Sequence, residues 1–293
     1  MSKIVIVTDS TAYLPPEMVA QLDVHVIPLY LDLGNETCRD GVDLDTAVFY
    51  KRLKAAPTLP TTSQPSVGDF LKLYRRLSQD ADAIISIHIS SGISGTVGSA
   101  QTARQALLAE MADSPKVYVV DSRTAAHGLA LLVSTAARAI ATGLPADRVA
   151  QKVEGLALRL STIFVVDTLE YLHKGGRIGG AAALVGSVLQ IKPLLHFREG
   201  RIDVLEKERT ARKARRRMLE IVAERANGRP IRAAIVHAQA PEEAERVRQY
   251  LIEHLNCREH FIVECSPVIA THVGPGTVGV AFYTEKEGDV YVG

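Results

Sequence analysis

The chain has 293 residues, of which 47% are apolar and only 5% aromatic, so its interior must consist mainly of Val, Ile, Leu and Ala. This length and apolar content are sufficient for two ordinary α/β domains. A formal net charge of +1 gives no overall electrostatic attraction to nucleic acid, and we predict no nucleic-acid partner.

The cysteines and the apolar runs indicate a cytoplasmic protein. Cys38, Cys257 and Cys265 show no CxxC spacing, which favours ordinary thiols in a reducing compartment. The N-terminal apolar run is too short for the core of a signal peptide. The best candidate for a membrane span, Ala125 to Leu144, contains a histidine, an arginine and many alanines. We therefore predict a buried helix of a globular protein there.

The first half alternates β-branched apolar runs with helical segments, a pattern typical of a doubly wound parallel sheet. The predicted strands are Ile4 to Val7, Val24 to Leu31, Ala83 to Ile89 and Val117 to Val120. Gly34-Asn35 predicts a hairpin turn, and Asp43 is predicted to cap a helix that ends at Lys54. Polar loops follow several of these strands, at the edge where such sheets bind ligands.

The second half changes to a hairpin followed by mixed strands and helices. Arg198 to Arg201 predicts the hairpin turn, and further strands are expected at Ile231 to Val236, His260 to Glu264 and Val278 to Tyr283. The sequence therefore predicts an α/β fold in which a doubly wound N-terminal domain packs against a smaller α+β domain with a mixed sheet. We place these domains at residues 1–160 and 161–293.

The segment from Leu172 to Leu195 joins a basic, glycine-rich turn to an apolar run of mostly small residues. Small residues allow close approach by backbone or by a ligand, and the cations before them are suited to an anionic group. One interpretation is a binding seam between a polar mouth and an apolar interior. The other is a tightly packed connector helix behind a solvated turn.

Several common catalytic and cofactor motifs are missing from the sequence. No GxxxxGK[ST] loop, no GxGxxG after a strand and no HExxH occurs, so we predict neither ATP binding by this chain nor a metal site. Ser94 lies in GxSG rather than in the GxSxG elbow of hydrolases. An acyl-transfer or hydrolase enzyme with Ser94 as nucleophile and His272 as base therefore remains as the alternative function. Ser90 to Thr96 instead offers hydroxyls and a helix N-terminus to an anion, unless Ser94 only caps its helix.

Three further features allow both a structural and a functional interpretation. Thr61 and Thr62 add two hydroxyl donors in a polar loop. His272 stands in a glycine-containing turn, where it either makes a structural hydrogen bond or contributes to a site. The basic run from Lys207 to Arg217 is either a solvated helix face or a docking surface for an acidic partner or an anionic membrane.

The ordered set of these motifs resembles the bacterial DegV family along essentially the whole chain. The matching segments are Thr8-Asp9-Ser10, Thr61 to Ser66, Ser94-Gly95-Thr96, Asp121-Ser122, Lys174 to Ile178, Ile191-Lys192-Pro193 and His272 to Gly276. The resemblance implies a two-domain α/β protein that binds one long-chain fatty acid and has no further cofactor. The family includes the binding subunits of bacterial fatty acid kinase, in which a separate ATP-dependent subunit phosphorylates the bound carboxylate. The acyl phosphate then passes to acyltransfer enzymes of phospholipid synthesis.

The same resemblance assigns roles to individual residues. It implies that Thr61, Thr62 and Ser94 hold the carboxylate, that His272 joins their hydrogen-bond network, and that Arg177 lies at the head-group rim or engages the partner. No residue of this chain is expected to be catalytic. The chain departs from the pattern at Val97-Gly98, where relatives often have Tyr-Gln.

Simple energetics predict how such a carrier divides its affinity. About 15 methylene and methyl groups leaving water contribute on the order of 12 kcal/mol, at roughly 0.8 kcal/mol per group. A hydrogen bond to a carboxylate contributes about 1.5–3 kcal/mol net. We therefore expect the acyl tail to supply most of the affinity and the head-group residues to fix its direction. The helix from Ala181 to Leu189 and the second domain are expected to line the tail.

Overall fold

The computed structural model describes residues 3–56, 58–111, 113–185 and 191–286. Its strands are β1 (Ile4–Asp9), β2 (Val24–Ile27), β3 (Tyr30–Asp32), β4 (Thr37–Arg39), β5 (Thr61–Ser63), β6 (Ala83–His88), β7 (Lys116–Asp121), β8 (Ser161–Val165), β9 (Lys192–Arg198), β10 (Arg201–Glu208), β11 (Ile231–His237), β12 (Cys257–Glu264) and β13 (Val278–Thr284). Its α-helices are α1 (Pro16–Gln21), α2 (Thr46–Ala55), α3 (Val67–Leu77), α4 (Thr96–Glu110), α5 (His127–Ala141), α6 (Ala146–Ala157), α7 (Glu170–Lys174), α8 (Ala211–Ala226), α9 (Pro241–His254) and α10 (Pro267–Val273).

The first sheet is parallel throughout, with strand order β2-β1-β6-β7. Its strands are continuous β-branched runs because both of their faces are covered. Helices α3 and α4 pack on one face around Phe70, Tyr74 and Leu107. The other face contributes to a second cluster that contains most of α5 and the buried face of α6. The predicted doubly wound parallel sheet is confirmed.

The second sheet is mixed, with strand order β10-β9-β8-β13-β11-β12. Only β11 and β12 run parallel among its neighbouring strands. Helices α8 and α9 cover one face through Met218, Val222, Val247 and Leu251. The opposite face joins the cluster that contains α5. The predicted α+β unit with a mixed sheet is confirmed, whereas the domain boundary at residue 160 remains a prediction.

Helix α5 lies between the two sheets and is buried along almost its whole length. Its residues Leu129 to Val133 are fully enclosed, and they belong to the cluster that both sheets share. An apolar helix surrounded by protein needs no bilayer to shield it. No helix among the described residues is long and apolar enough to cross a membrane.

The region after β2 differs from the prediction in two details. Instead of one strand from Val24 to Leu31, the chain leaves the parallel sheet at Pro28, and β3 pairs antiparallel with β4 and β5. Proline has no N–H to donate to a ladder, which explains the break. The Gly34-Asn35 hairpin is confirmed. Helix α2 is capped by Asp45, not by Asp43, which instead pairs with Arg39 at 2.8 Å.

The apolar segment after the basic turn forms a 3-10 helix, Gly179–Leu184, rather than an α-helix. Gly179 has a φ of +53°, and a side chain on it would collide with the backbone of Ile202 on β10. Close packing against β10 therefore determines this local geometry. The predicted lining helix from Ala181 to Leu189 extends into residues 186–190, which lie outside the described residues.

Helix α10 was not predicted from the sequence, which suggested only a turn at its end. It starts with Ser266 as N-cap, whose hydroxyl accepts from the N–H of Ile269 at 3.3 Å, and has Pro267 at its first position. Both are standard start signals. Six of the seven residues of this helix are buried, so its sequence has no alternation of apolar and polar faces by which a helix could be predicted.

Candidate functional site

A cavity with a predominantly apolar lining lies where the two sheets, α5 and α10 meet. Its apolar walls include side chains from both halves of the chain: Ile89, Phe164, Phe197, Val236, Val268 and Ile269. Polar side chains from β5, from two separate loops and from α10 also line it: Thr62, Ser94, Arg177 and His272. The fold thus brings four of the five predicted site residues to one cavity.

Thr62 and His272 are hydrogen bonded to each other, although 210 positions separate them in the sequence. The Thr62 Oγ1 atom lies 2.8 Å from the His272 Nε2 atom. Thr61 is the preceding residue of β5, is exposed and does not line this cavity. Ser63 and Gln64, which follow Thr62, also line the cavity, so Thr61 lies just before the part of the chain that reaches it. The structure does not bring Thr61 into the site.

His272 is held in its neutral form. Burial, reinforced by the nearby positive charge of Arg177, lowers its pKa from 6.5 to about 4. Its Nδ1 atom is buried and makes no hydrogen bond within the described part of the chain. A side chain at Gly175 would collide with this ring, so the glycine-rich turn packs directly against it. The ring is therefore fixed by packing on one side and by Thr62 on the other.

Ser94 lies in the loop before α4, next to another hydroxyl. Its Oγ atom is 2.9 Å from the Thr96 Oγ1 atom and accepts a longer bond, 3.3 Å, from the Thr96 N–H. Gly95 is the N-cap residue of α4, so Ser94 acts only as an adjacent cap. Among the described hydrogen bonds none joins Ser94 to His272, and a base with a pKa near 4 is poorly matched to neutral pH. This geometry does not form a Ser-His nucleophile pair.

Arg177 is directed by backbone carbonyl groups rather than by a carboxylate. Its Nη1 atom donates to the Gly175 carbonyl at 2.8 Å and its Nε atom to the Ile93 carbonyl at 3.3 Å. Arg177 also lines a second depression that adjoins the cavity and contains Arg201. Two cations therefore lie together in a depression beside the cavity, and guanidinium groups are suited to binding an anion such as a phosphate.

Helix α10, which carries His272, is anchored by a residue that the sequence analysis missed. The buried Asp40 carboxylate accepts from the Val268 N–H at 3.3 Å and from the Ser10 hydroxyl at 2.7 Å. Burial raises the pKa of Asp40 to about 7, against the effect of these donors. This contact gives Ser10 of the Thr8-Asp9-Ser10 motif a positioning role. A lone aspartate after Arg39 gives no sequence signal for this contact.

Three of the seven cations in the basic run from Lys207 to Arg217 pair with acidic side chains. Arg217 pairs with Glu206 at 2.8 Å and with Glu224 at 2.6 Å. Arg215 and Arg216 also have acidic partners, at 3.5 Å and 3.3 Å. Pairing at the helix surface therefore accounts for part of this charge. Among the described residues, no group of three or more His, Cys, Asp or Glu side chains is placed to hold a metal.

Comparison with known proteins gives a consistent result. The family model of DegV matches residues 3–285. A DegV domain-containing protein of Halalkalibacterium halodurans is 40% identical over 288 residues, which cover 98% of this chain and all of the relative. A DegV family protein from Thermus thermophilus, whose structure is described as fatty acid binding, has a TM-score of 0.90 and 36% identity, covering 97% of this chain and 100% of its own. DegV from Bacillus subtilis, described as a fatty acid binding protein, has a TM-score of 0.87 at the same identity and coverage.

Proposed function

The chain belongs to the DegV family, and from this premise we propose that it binds one long-chain fatty acid in the cavity between its two sheets. The observation that carries the proposal is the hydrogen bond between Thr62 and the neutral His272 at a cavity whose other walls are mainly apolar. Such a lining suits a ligand that is apolar over most of its length and polar at one end. Relatives described as fatty acid binding share the fold at high structural similarity.

The hydrogen-bond chemistry of the Thr62–His272 pair suits a carboxylate. When Nε2 of the neutral ring carries the proton, it donates to the Thr62 oxygen, and the Thr62 hydroxyl proton remains available for the ligand. Ser94 provides a second hydroxyl at the same cavity. In the proposed complex these groups orient the head, and burial of the tail provides most of the affinity.

We assign the parts of the site to the two proposed domains as follows. Residues 1–160 supply the head-group hydroxyls of Thr62 and Ser94, and residues 161–293 supply much of the acyl-chain wall through Phe164, Phe197 and Val236. One residue departs from this division. His272 belongs to residues 161–293 but contacts Thr62 and so joins the head-group hydroxyls of residues 1–160.

The two adjacent threonines provide a direct test of this arrangement. Delipidated protein should bind one stearic acid per chain, and Thr62→Val should weaken binding by about 10- to 100-fold because a bond to the carboxylate is lost. Thr61→Val is the matched control and should bind as the unaltered chain does. Titration calorimetry measures both affinities. If Thr61→Val has the larger effect, the carboxylate lies on the other face of β5; if the unaltered chain binds no fatty acid, the proposed function is wrong.

The further proposal is that the bound carboxylate is presented to a separate ATP-dependent kinase subunit. The acyl phosphate product would then be consumed by an acyltransfer enzyme in phospholipid synthesis. The sequence contains no Walker loop of its own. The depression that contains Arg177 and Arg201 beside the cavity supports this proposal, because a phosphoryl group must approach the carboxylate from outside.

Arg177 separates binding from phosphoryl transfer. Because its guanidinium is bonded to the carbonyls of Gly175 and Ile93, Arg177→Ala should leave the dissociation constant for stearic acid within about threefold. The same variant should lower acyl phosphate formation with a cognate kinase at least about tenfold. Binding and phosphorylation are measured on one preparation. An equal loss of both would show that Arg177 is a primary contact of the carboxylate.

We also place the protein in the cytoplasm, where it would make transient contact with a membrane surface. The basic run from Lys207 to Arg217 is the candidate surface for that contact. Three of its seven cations pair with acidic side chains, which weakens the attraction of this surface to anionic lipid. The contact is therefore proposed as brief and sensitive to salt.

A further inference from the structure

One polar side chain of the cavity has no role in the head-group site. His127, the first residue of α5, lines the same cavity and is only 3% exposed. Neither of its ring nitrogens makes a hydrogen bond within the described part of the chain. The backbone of Val280 lies close to the ring without meeting hydrogen-bond geometry, and it can engage one nitrogen at most. At least one nitrogen of a buried ring is therefore left without a partner.

Neighbouring hydroxyl groups are already engaged elsewhere. The hydroxyls of Thr124 and Thr162 lie 2.9 Å apart and bond to each other. The Thr277 hydroxyl, which is in the cavity lining, donates to the carbonyls of Val273 and Gly274 at 3.0 Å. These groups differ from His127, of which at least one ring nitrogen has no hydrogen-bond partner in the described part of the chain.

A buried imidazole without a partner is unfavourable in a cavity that holds only a saturated chain. The neutral ring has one N–H donor and one bare nitrogen acceptor. A hydroxyl group on the ligand can satisfy either nitrogen, because it both donates and accepts. A plain methylene chain can satisfy neither.

We propose that His127 is a specificity-determining residue that binds a hydroxyl group carried along the acyl chain, and that hydroxy fatty acids are preferred ligands of this protein. The inference rests on the proposed function, since it assumes that the acyl chain occupies this cavity. It adds a second polar contact, separate from Thr62 and His272. It also predicts that the hydroxyl must be at a restricted range of positions, because His127 belongs to the fixed start of α5.

The test compares stearic acid with hydroxystearic acids that carry the hydroxyl at different carbon atoms. With the delipidated full chain we expect one narrow range of positions to bind at least about tenfold more tightly than stearic acid. His127→Leu should abolish that preference and bind stearic acid at least as well as the unaltered chain. His127→Gln, which retains a donor and an acceptor, should recover part of it. His196→Leu, at a partly buried histidine outside the cavity lining, is the control and should retain the preference.

The outcomes distinguish this inference from the proposed function. If stearic acid binds and no hydroxystearic acid binds more tightly, the inference is wrong. If a preference exists but persists in His127→Leu, another residue reads the hydroxyl, and the inference is again wrong. If no fatty acid binds at all, the proposed function itself fails.

A second measurement on the unaltered chain covers the case in which His127→Leu does not fold. The ring nitrogen resonances of His127 should shift on binding the preferred hydroxystearic acid and should not shift in the same way with stearic acid. Identical spectra for the two ligands would overturn the inference without any variant.

Discussion

Replacing Val236 by phenylalanine is expected to weaken fatty acid binding by about 1,000-fold. Val236 lies on β11 and lines the cavity, opposite Gly279 of β13. A phenyl ring there should occupy space that the acyl tail needs. If the ring displaces about five methylene groups, at about 0.8 kcal/mol each, the loss is roughly 4 kcal/mol. This exceeds the effect expected for Thr62→Val, because the tail is proposed to supply most of the affinity.

Val236→Ala is the matched control at the same position. It removes bulk and should leave stearic acid binding within about tenfold of the unaltered chain. Thermal unfolding of the delipidated variants gives an independent measure of the empty space. Val236→Phe should fold with little loss of stability, whereas the same change in a filled core costs about 1–3 kcal/mol. A stable Val236→Phe protein that binds stearic acid normally would show that the tail does not reach β11.

The layers of the fold were predictable because local patterns and tertiary burial agree there. Isoleucine-rich runs such as Ala83 to His88 indicate strands covered on both faces, and this one is buried throughout in the parallel sheet. Helix α3 likewise has a local start signal, because Ser66 and Asp69 form a capping box. Where packing overrides the local pattern, prediction failed. The 3-10 helix at Gly179 follows from contact with β10, and no local pattern encodes that contact.

The site was predictable to the level of loops but not of side-chain direction. Family resemblance pointed to Thr61, Thr62, Ser94, Arg177 and His272, and the structure brings all but Thr61 to one cavity. Thr62, Ser63 and Gln64 reach the cavity and Thr61 does not, and a three-residue strand is too short for its sequence to indicate this.

Some residues of the site could not have been found from sequence patterns. His127 was treated only as a polar residue within an apolar run, which gave no indication that its ring is enclosed without a hydrogen bond. Asp40 likewise acts through contacts with Ser10 and Val268, which are distant in the sequence. Both roles depend on tertiary packing.

Acid conditions should reveal the buried His127 through the stability of the empty protein. Complete burial lowers its pKa from 6.5 to about 3, so the unfolded chain binds a proton below about pH 6.5 that the folded chain excludes. Stability is therefore lost as the pH falls from about 6.5 towards 3. Integrated between about pH 7.5 and pH 5, this one group accounts for roughly 2 kcal/mol of destabilisation.

His127→Leu removes that contribution and should gain roughly 2 kcal/mol relative to the unaltered chain over the same interval. Urea unfolding at the two pH values measures the difference, with the exposed His173→Leu as the control for loss of an imidazole. Asp40 acts in the opposite direction, because its pKa is raised to about 7 and its folded form gains a proton as the pH falls. That term is common to both proteins and cancels in the comparison. If both proteins lose the same unfolding free energy between the two pH values, His127 becomes protonated in the folded state. The ring would then not be enclosed without a partner, and the prediction would be wrong.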